Sequence, residues 1–231
     1  MTKVQIIFFM FVFILVSSCS DSSWKPLFDG TSTDGWRGLN QDHFPEHGWK
    51  VENGMLIRYV EDGKESQGGG DIITVKQYGN FDFKWEWKLL TEGGNSGVKY
   101  FVVEALSNNP IHGIGLEYQI FDDGMLQGKM KDGDYHALAA LYEIYPPENR
   151  KVNPPGQWNT SRILSHNNQV EHWLNGNKVL EYERGSEDFN KRVAQSKFKN
   201  IPDFGLAAKG HILLQDHGSP IAFRNLQIRE F

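Results

Sequence analysis

Side chains that can bind ligands or transfer protons alternate with apolar side chains in three stretches of the sequence. In residues 115–121, Glu117 and Gln119 alternate with apolar residues, and Lys99 does the same in residues 97–103. Residues 209–217 carry four polar side chains at odd positions, namely Lys209, His211, Gln215 and His217. Because successive side chains of a β-strand point to opposite faces, each stretch is expected to present these groups away from the core.

Two interpretations of these polar faces remain open at this stage. The simpler one is that they are solvated outer faces of a sheet. A solvated face is normally rich in Lys, Glu and Thr, whereas these stretches carry Gln, His and Gly, which favours a binding site. His211 and His217 share one predicted strand and are better candidates than the isolated His43, His47 and His166.

Hydrolysis by a pair of carboxylates is disfavoured. Glu117 and Asp122 are ~16 Å apart on an unbulged strand and face opposite ways. Retaining glycosidases need two carboxyl groups about 5–5.5 Å apart. The sequence also lacks the Gly-x-Ser-x-Gly and His-Glu-x-x-His motifs of serine hydrolases and zinc proteases.

Four scattered aspartates could ligate a hard cation through oxygen, or could simply form turns. They are Asp71, Asp122, Asp123 and Asp216. No cluster of acidic residues converges in the sequence. We therefore predict no essential metal site, keep a divalent cation as an option, and expect no organic cofactor.

The elements that must position the polar groups are short strands. Residues 81–89 alternate aromatic and charged side chains, and glycine-containing turns separate the apolar stretches. Asn175 and Gly176 predict a type I′ hairpin, and only residues 188–195 have the spacing of a helix. The sequence therefore predicts an all-β protein, an antiparallel β-sandwich or jelly roll.

Composition limits the classes of partner. The chain has 231 residues, 39% of them hydrophobic, and a formal net charge of −5. This is enough material for one globular domain and provides no basic patch for nucleic acid. The single cysteine excludes an internal disulfide or a multi-cysteine metal site.

That cysteine follows an apolar leader. Lys3 precedes the apolar run 4–16, and Leu15 to Cys19 resembles a bacterial lipobox. We predict a signal peptide over residues 1–18, lipidation of Cys19, a tether over 19–23 and a domain over 24–231. The alternative is a plain signal peptide. The expected location is the bacterial cell envelope, with a lipid anchor as the only membrane contact.

Several segments together resemble one family, the 3-keto-disaccharide hydrolase domains, formerly a domain of unknown function. The resemblance covers nearly the whole mature chain, from residues 24–30 to residues 223–229. Its characteristic segments are Gly70–Thr74, Gly94–Val98, Gly115–Ile120, Leu141–Tyr142, Val170–Gly176 and Gly210–Gly218. Members look like concanavalin-A-like sandwiches, so the resemblance implies that fold and a carbohydrate substrate.

The resemblance also implies cleavage of glycosides whose sugar is oxidised at C3. The C3 ketone makes the C2 proton acidic, so cleavage can begin with removal of that proton and continue by elimination. This reaction needs a base that works near neutral pH, and a cation or hydrogen-bond donor for the oxygen of the enolate that forms. We predict His211, Lys209 and Glu117 as catalytic residues. The predicted substrate-binding residues are Gln119, Gln215, His217, Lys99, Tyr142 and His136. A glycan-binding lectin without activity is the alternative, and ordinary glycoside hydrolysis is a weaker one.

Overall fold

The computed structural model describes residues 23–60, 69–107, 112–126 and 133–231. These residues form thirteen β-strands, one α-helix and two short 3-10 helices. The strands are β1 (Lys25–Pro26), β2 (Trp36–Gly38), β3 (Trp49–Glu52), β4 (Met55–Arg58), β5 (Ile72–Thr74), β6 (Phe81–Leu89), β7 (Asn95–Val102), β8 (Leu116–Phe121), β9 (Asn159–His166), β10 (Gln169–Leu174), β11 (Asn177–Glu183), β12 (His211–Leu214) and β13 (Ile221–Glu230). The helix α1 spans Glu187–Gln195, and the 3-10 helices span Glu104–Leu106 and Asp123–Leu126.

The strands form two antiparallel sheets. The larger sheet has the order β11-β10-β9-β6-β13-β4-β3, with β1 also paired to β13. The smaller sheet has the order β2-β5-β12-β7-β8. Their inner faces share one hydrophobic core, so the predicted antiparallel sandwich of the concanavalin-A-like type is confirmed.

Aromatic alternation in β6 builds the centre of this core. Its inward side chains are at most 3% exposed: Phe81, Phe83, Trp85, Trp87 and Leu89. Across the core, Trp85 meets Tyr118 of β8 edge to face, with ring centroids 5.2 Å apart. Burial of such a side chain contributes roughly 1.5–3 kcal/mol, so this strand fixes how the two sheets lie against each other.

The hairpin predicted between β10 and β11 is also present. Asn175 and Gly176 have φ angles of 47° and 80°, and positive values at both positions are what a type I′ turn requires. Leu174 pairs with Asn177 across the turn. Local turn chemistry therefore sets the register of these two strands.

The one α-helix of the described residues begins at a capped N-terminus. Ser186 accepts a hydrogen bond from the backbone N–H of Phe189 at 3.1 Å, which satisfies a donor that the helix leaves free. The Phe189 ring is buried and stacks on Tyr182 of β11, 5.9 Å away. This packing fixes the position of the residues that follow the helix, among them Lys197.

The predicted leader, Cys19 and the tether up to residue 22 lie outside the described residues. In the part of the chain that the structure describes, no helix has the length and apolar character needed to cross a membrane.

Candidate active site

A polar pocket of about 180 Å³ lies on the outer face of the smaller sheet. The strands β7 and β8 form its floor, and the segments 112–115, 197–198 and 215–217 form its walls. Its lining residues are Asn95, Lys99, His112, Gly113, Ile114, Gly115, Glu117, Gln119, Tyr142, Lys197, Phe198, Gln215 and His217. The pocket thus contains six of the nine predicted catalytic and binding residues: Glu117, Gln119, Gln215, His217, Lys99 and Tyr142.

Strand alternation accounts for the floor of the pocket. Leu116, Tyr118 and Ile120 of β8 belong to the core, which directs Glu117 and Gln119 to the opposite face. Glu117 pairs with Lys99 across the two strands, and cross-strand partners lie on the same face of a sheet. The face predicted for these residues from the sequence is confirmed.

Glu117 is the carboxylate of the pocket floor. The residue is 9% exposed, and its Oε2 lies 3.7 Å from Lys99 Nζ. Burial raises the pKa of Glu117 above its ordinary value, although the positive charges of Lys99 and Lys197 oppose that shift. A carboxyl group with a raised pKa can accept and return a proton closer to neutral pH.

Gly97 leaves room for the side chains beside it. A Cβ at this position would lie 2.8 Å from Glu117 Oε1 and 3.1 Å from Gln215 Oε1. Gln215 is 8% exposed, and its buried Oε1 has no hydrogen-bond partner among the described residues. Because an unsatisfied buried acceptor is costly, this oxygen is suited to receive a ligand hydroxyl.

Two lysines converge on Glu117 from different elements. Lys99 of β7 donates a hydrogen bond from Nζ to the carbonyl oxygen of Gly113 at 3.0 Å. Lys197, which follows α1, places Nζ 4.2 Å from the ring centroid of Tyr142. Partial burial lowers the pKa of Lys197, while Glu117 and Glu143 raise it. Both ammonium groups can stabilise negative charge that develops on a bound molecule.

His136 lies beside the pocket and not in its lining. Its ring contacts Tyr142 edge to face at 5.1 Å, and its Nε2 is 3.1 Å from Glu143 Oε1. The predicted binding role of His136 would therefore act through Tyr142.

The structure places Lys209 and His211 away from the pocket. Leu213 follows His211 on the same face and joins a small apolar cluster with Leu39, Ile73 and Val102. His211 is thus about 13 Å along the chain from Gln215, and the apolar cluster lies between His211 and the pocket. Lys209 is exposed.

His211 has its own partners. Its Nδ1 donates to the carbonyl oxygen of Thr74 at 2.6 Å, and its Nε2 lies 3.0 Å from the Gln77 amide nitrogen. Glu104, held by Arg37, is 3.8 Å from the same Nε2. The catalytic roles predicted for Lys209 and His211 require contact with a ligand in the pocket, and this placement gives no support to those roles.

Seven lining residues were not among the predicted site residues: Asn95, His112, Gly113, Ile114, Gly115, Lys197 and Phe198. Asn95 belongs to the Gly94–Val98 segment that carries the resemblance, so that segment could have indicated it. His112, Lys197 and Phe198 come from irregular segments. Strand alternation says nothing about such positions.

The four aspartates considered as cation ligands all have partners within the protein. Backbone N–H groups donate to Asp71 and Asp122, and arginines pair with Asp123 and Asp216. Within the described ranges, no three His, Cys, Asp or Glu side chains are grouped so that they could hold a metal ion.

The fold and the pocket define the class of protein: a concanavalin-A-like sandwich with a buried carboxylate and two lysines in a pocket on one sheet. The chain belongs to the family of 3-keto-α-glucoside-1,2-lyase-like domains, which matches residues 23–229. The family expected from the sequence is confirmed.

Relatives cover most of the chain. It is 31% identical over 225 residues to a 3-keto-disaccharide hydrolase of Bacteroides thetaiotaomicron, covering 88% of this chain and 77% of that protein. A crystal structure of a Parabacteroides distasonis protein described as a glycosyl hydrolase is 37% identical, with a TM-score of 0.76 and coverage of 90% and 94% of the two chains. A second such structure from that organism is 30% identical, with a TM-score of 0.65 and coverage of 90% and 100%.

Proposed function

We propose that this protein cleaves the glycosidic bond of glycosides whose sugar carries a ketone at C3. The name of the Bacteroides relative and the description of the family support this substrate class. The observation that carries the proposal is the buried Glu117 with its raised pKa, 3.7 Å from the Lys99 ammonium. One base beside one cation is what the chemistry of a 3-keto sugar requires.

The reaction begins at C2, because the neighbouring ketone makes the C2 proton acidic. The C2–H bond breaks, the proton passes to the Glu117 carboxylate, and the electron pair forms an enolate with its charge on O3. The C1–O bond then breaks while the C3 ketone re-forms, and a C1=C2 double bond results. The departing oxygen takes that proton from Glu117 and leaves as an alcohol, which restores the carboxylate. Water adds across the double bond and gives the free 3-keto sugar.

The lysines stabilise the enolate in this scheme. Lys99 and Lys197 bring positive charge to the pocket, where partial exclusion of water strengthens its effect on O3. Asn95, Gln119 and Gln215 supply amide groups for the sugar hydroxyls. A second carboxylate is not needed, and among the described lining residues Glu117 is the only Asp or Glu.

Two substrates that differ only in oxidation at C3 test this function. The purified protein is incubated with a 3-keto-glucoside and with the matching glucoside, and release of the aglycone is followed. We expect release from the 3-keto-glucoside alone. Equal release from both would indicate an ordinary glycosidase, and binding without release would indicate the lectin alternative.

We propose that a divalent cation is optional for this activity. The reason is that the candidate aspartates already have partners, while Lys99 and Lys197 bring positive charge to the pocket. Activity in excess chelator is therefore expected to stay within about twofold of the untreated protein. Complete loss of activity in chelator, with recovery when calcium or another divalent cation is added, would contradict this proposal.

We also propose that Cys19 is lipidated and holds the protein at the bacterial envelope. The basis is its position at the end of the apolar leader in the sequence. The variant Cys19→Ser is expected to move from the membrane fraction to the soluble fraction of fractionated cells. If the variant stays with the membranes as the unaltered protein does, the lipid anchor is wrong.

A further inference from the structure

We propose that Asp71 is a positioning residue that holds the two segments flanking the pocket, 112–115 and 215–218, in one arrangement. The proposal rests on the proposed function, since it assigns Asp71 a part in setting up Glu117. Asp71 lies directly before β5, is 0% exposed and does not line the pocket. It acts from behind the pocket wall and touches no substrate.

Each oxygen of the Asp71 carboxylate accepts a backbone hydrogen bond from a different segment. Oδ2 accepts from the N–H of Gly113 at 2.9 Å, and Oδ1 accepts from the N–H of Asp216 at 2.8 Å. The two donors are far apart in the sequence and belong to no common sheet ladder. One buried carboxylate therefore joins them.

Both segments carry pocket groups next to the bonded atoms. The carbonyl oxygen of Gly113 accepts the hydrogen bond from Lys99 Nζ, and Lys99 faces Glu117. Gln215 and His217 flank Asp216 on either side. A shift of either segment would move a cation or a hydrogen-bonding group relative to the Glu117 carboxylate.

A second contact fixes the 215–218 segment without involving the pocket. Asp216 Oδ1 lies 2.6 Å from Nε of Arg58, and both side chains are 1% exposed. The backbone of Asp216 is thus held by Asp71 while its side chain is held by β4.

A carboxylate is required at this position because two donors converge on it. An asparagine offers one acceptor oxygen, and its NH₂ group would face the other N–H donor. The negative charge matters as well, since Asp71 contributes to raising the pKa of Glu117.

The other groups that act on Glu117 are Lys99 from β7, Lys197 after α1 and His217 after β12, which all lower its pKa. Tyr142 and His112 also line the pocket. Burial raises the pKa of Tyr142, which keeps it neutral where Glu117 titrates, and His112 Nδ1 lies 3.7 Å from Asp71 Oδ1.

The variant Asp71→Asn is the first test. We expect kcat/KM for the 3-keto-glucoside to fall by ~10²-fold, the scale of a misplacement of about 1 Å in a catalytic group. The acidic limb of the pH profile is expected to shift, because the variant removes the Asp71 charge and moves Lys99, and both groups act on the pKa of Glu117. A purely structural role would lower activity without moving that limb.

Asp82→Asn is the matched control. Asp82 is also a 0% exposed carboxylate, but it lies in the larger sheet and accepts hydrogen bonds from Arg162 and Arg229. Its replacement is expected to lower stability and leave the pH profile in place. The same shift of the acidic limb in both variants would overturn the proposal.

Amide hydrogen exchange tests the arrangement without any turnover. In the unaltered protein the N–H of Gly113 is expected to be protected like a strand amide although it lies in a loop, and protection is expected to fall at Gly113 in Asp71→Asn. An unprotected Gly113 amide in the unaltered protein overturns the proposal even if the variant fails to fold.

Absence of 3-keto-glucoside cleavage by the unaltered protein would refute the proposed function alone, and the exchange result would still decide the role of Asp71.

Discussion

Glutamine in place of Glu117 is expected to lower the rate of 3-keto-glycoside cleavage by about 10²–10⁴-fold, the usual range for loss of a general acid–base group. The amide keeps the size of the side chain and cannot take the C2 proton. The variant should remain folded, because Glu117 points away from the core residues Leu116 and Tyr118. Steady-state release of the aglycone measures the effect.

The pH dependence of the cleavage rate is a second test of the role of Glu117. Glu117 must be ionised to act as the base, so activity should be lost as the pH falls through its raised pKa. That limb should be absent from the residual activity of Glu117→Gln. Glu181→Gln, at an exposed glutamate paired with Lys178 of β11, is the control and should retain normal rates. A variant at position 117 with near-normal turnover would remove Glu117 from the mechanism.

Methionine in place of Lys99 is expected to lower kcat by about 10²–10³-fold, the range seen when one group that stabilises an oxyanion is removed. Methionine is unbranched and one atom shorter than lysine, so it keeps most of the side chain and loses the charge. Lys99 is 8% exposed, so a neutral side chain fits its surroundings. The variant also leaves the carbonyl oxygen of Gly113 without the Lys99 hydrogen bond, and circular dichroism should establish that the fold is kept.

Lys209→Met is the matched control for this variant. The same change at an exposed lysine outside the pocket should leave turnover close to normal. Equal losses in both variants would show that the pocket described here is not where cleavage occurs.

The positions on β7 and β8 could be predicted because strand alternation is a local property. The core requires the apolar side chains of the two strands to point inward, namely Val98 and Tyr100 in β7 and Leu116, Tyr118 and Ile120 in β8. Glu117, Gln119 and Lys99 then follow by exclusion. The type I′ turn at Asn175 and Gly176 was equally local.

His211 shows where the same reasoning fails. Alternation gives the face of a side chain but not its distance from the next polar group on that face. Leu213 lies between His211 and Gln215 on the outer face, where Leu39 and Val102 cover it. That contact joins residues far apart in the sequence, so periodicity alone could not reveal it.

The roles of Lys197 and Asp71 could not be predicted from the sequence for a related reason. Lys197 reaches the pocket only because α1 packs through Phe189 onto Tyr182. Asp71 resembles any aspartate at the end of a turn until the backbone of Gly113 and Asp216 is placed beside it. Tertiary packing defines both positions.

The central claim is that cleavage begins with removal of the C2 proton by a group in this pocket. A 3-keto-glucoside carrying deuterium at C2 tests it directly, with the label followed in the recovered substrate, the product and the solvent. We expect slower cleavage of the deuterated substrate or transfer of the label to water, and we expect that transfer to slow in Glu117→Gln. Turnover at the normal rate with full retention of deuterium at C2 would contradict elimination and leave direct hydrolysis in its place.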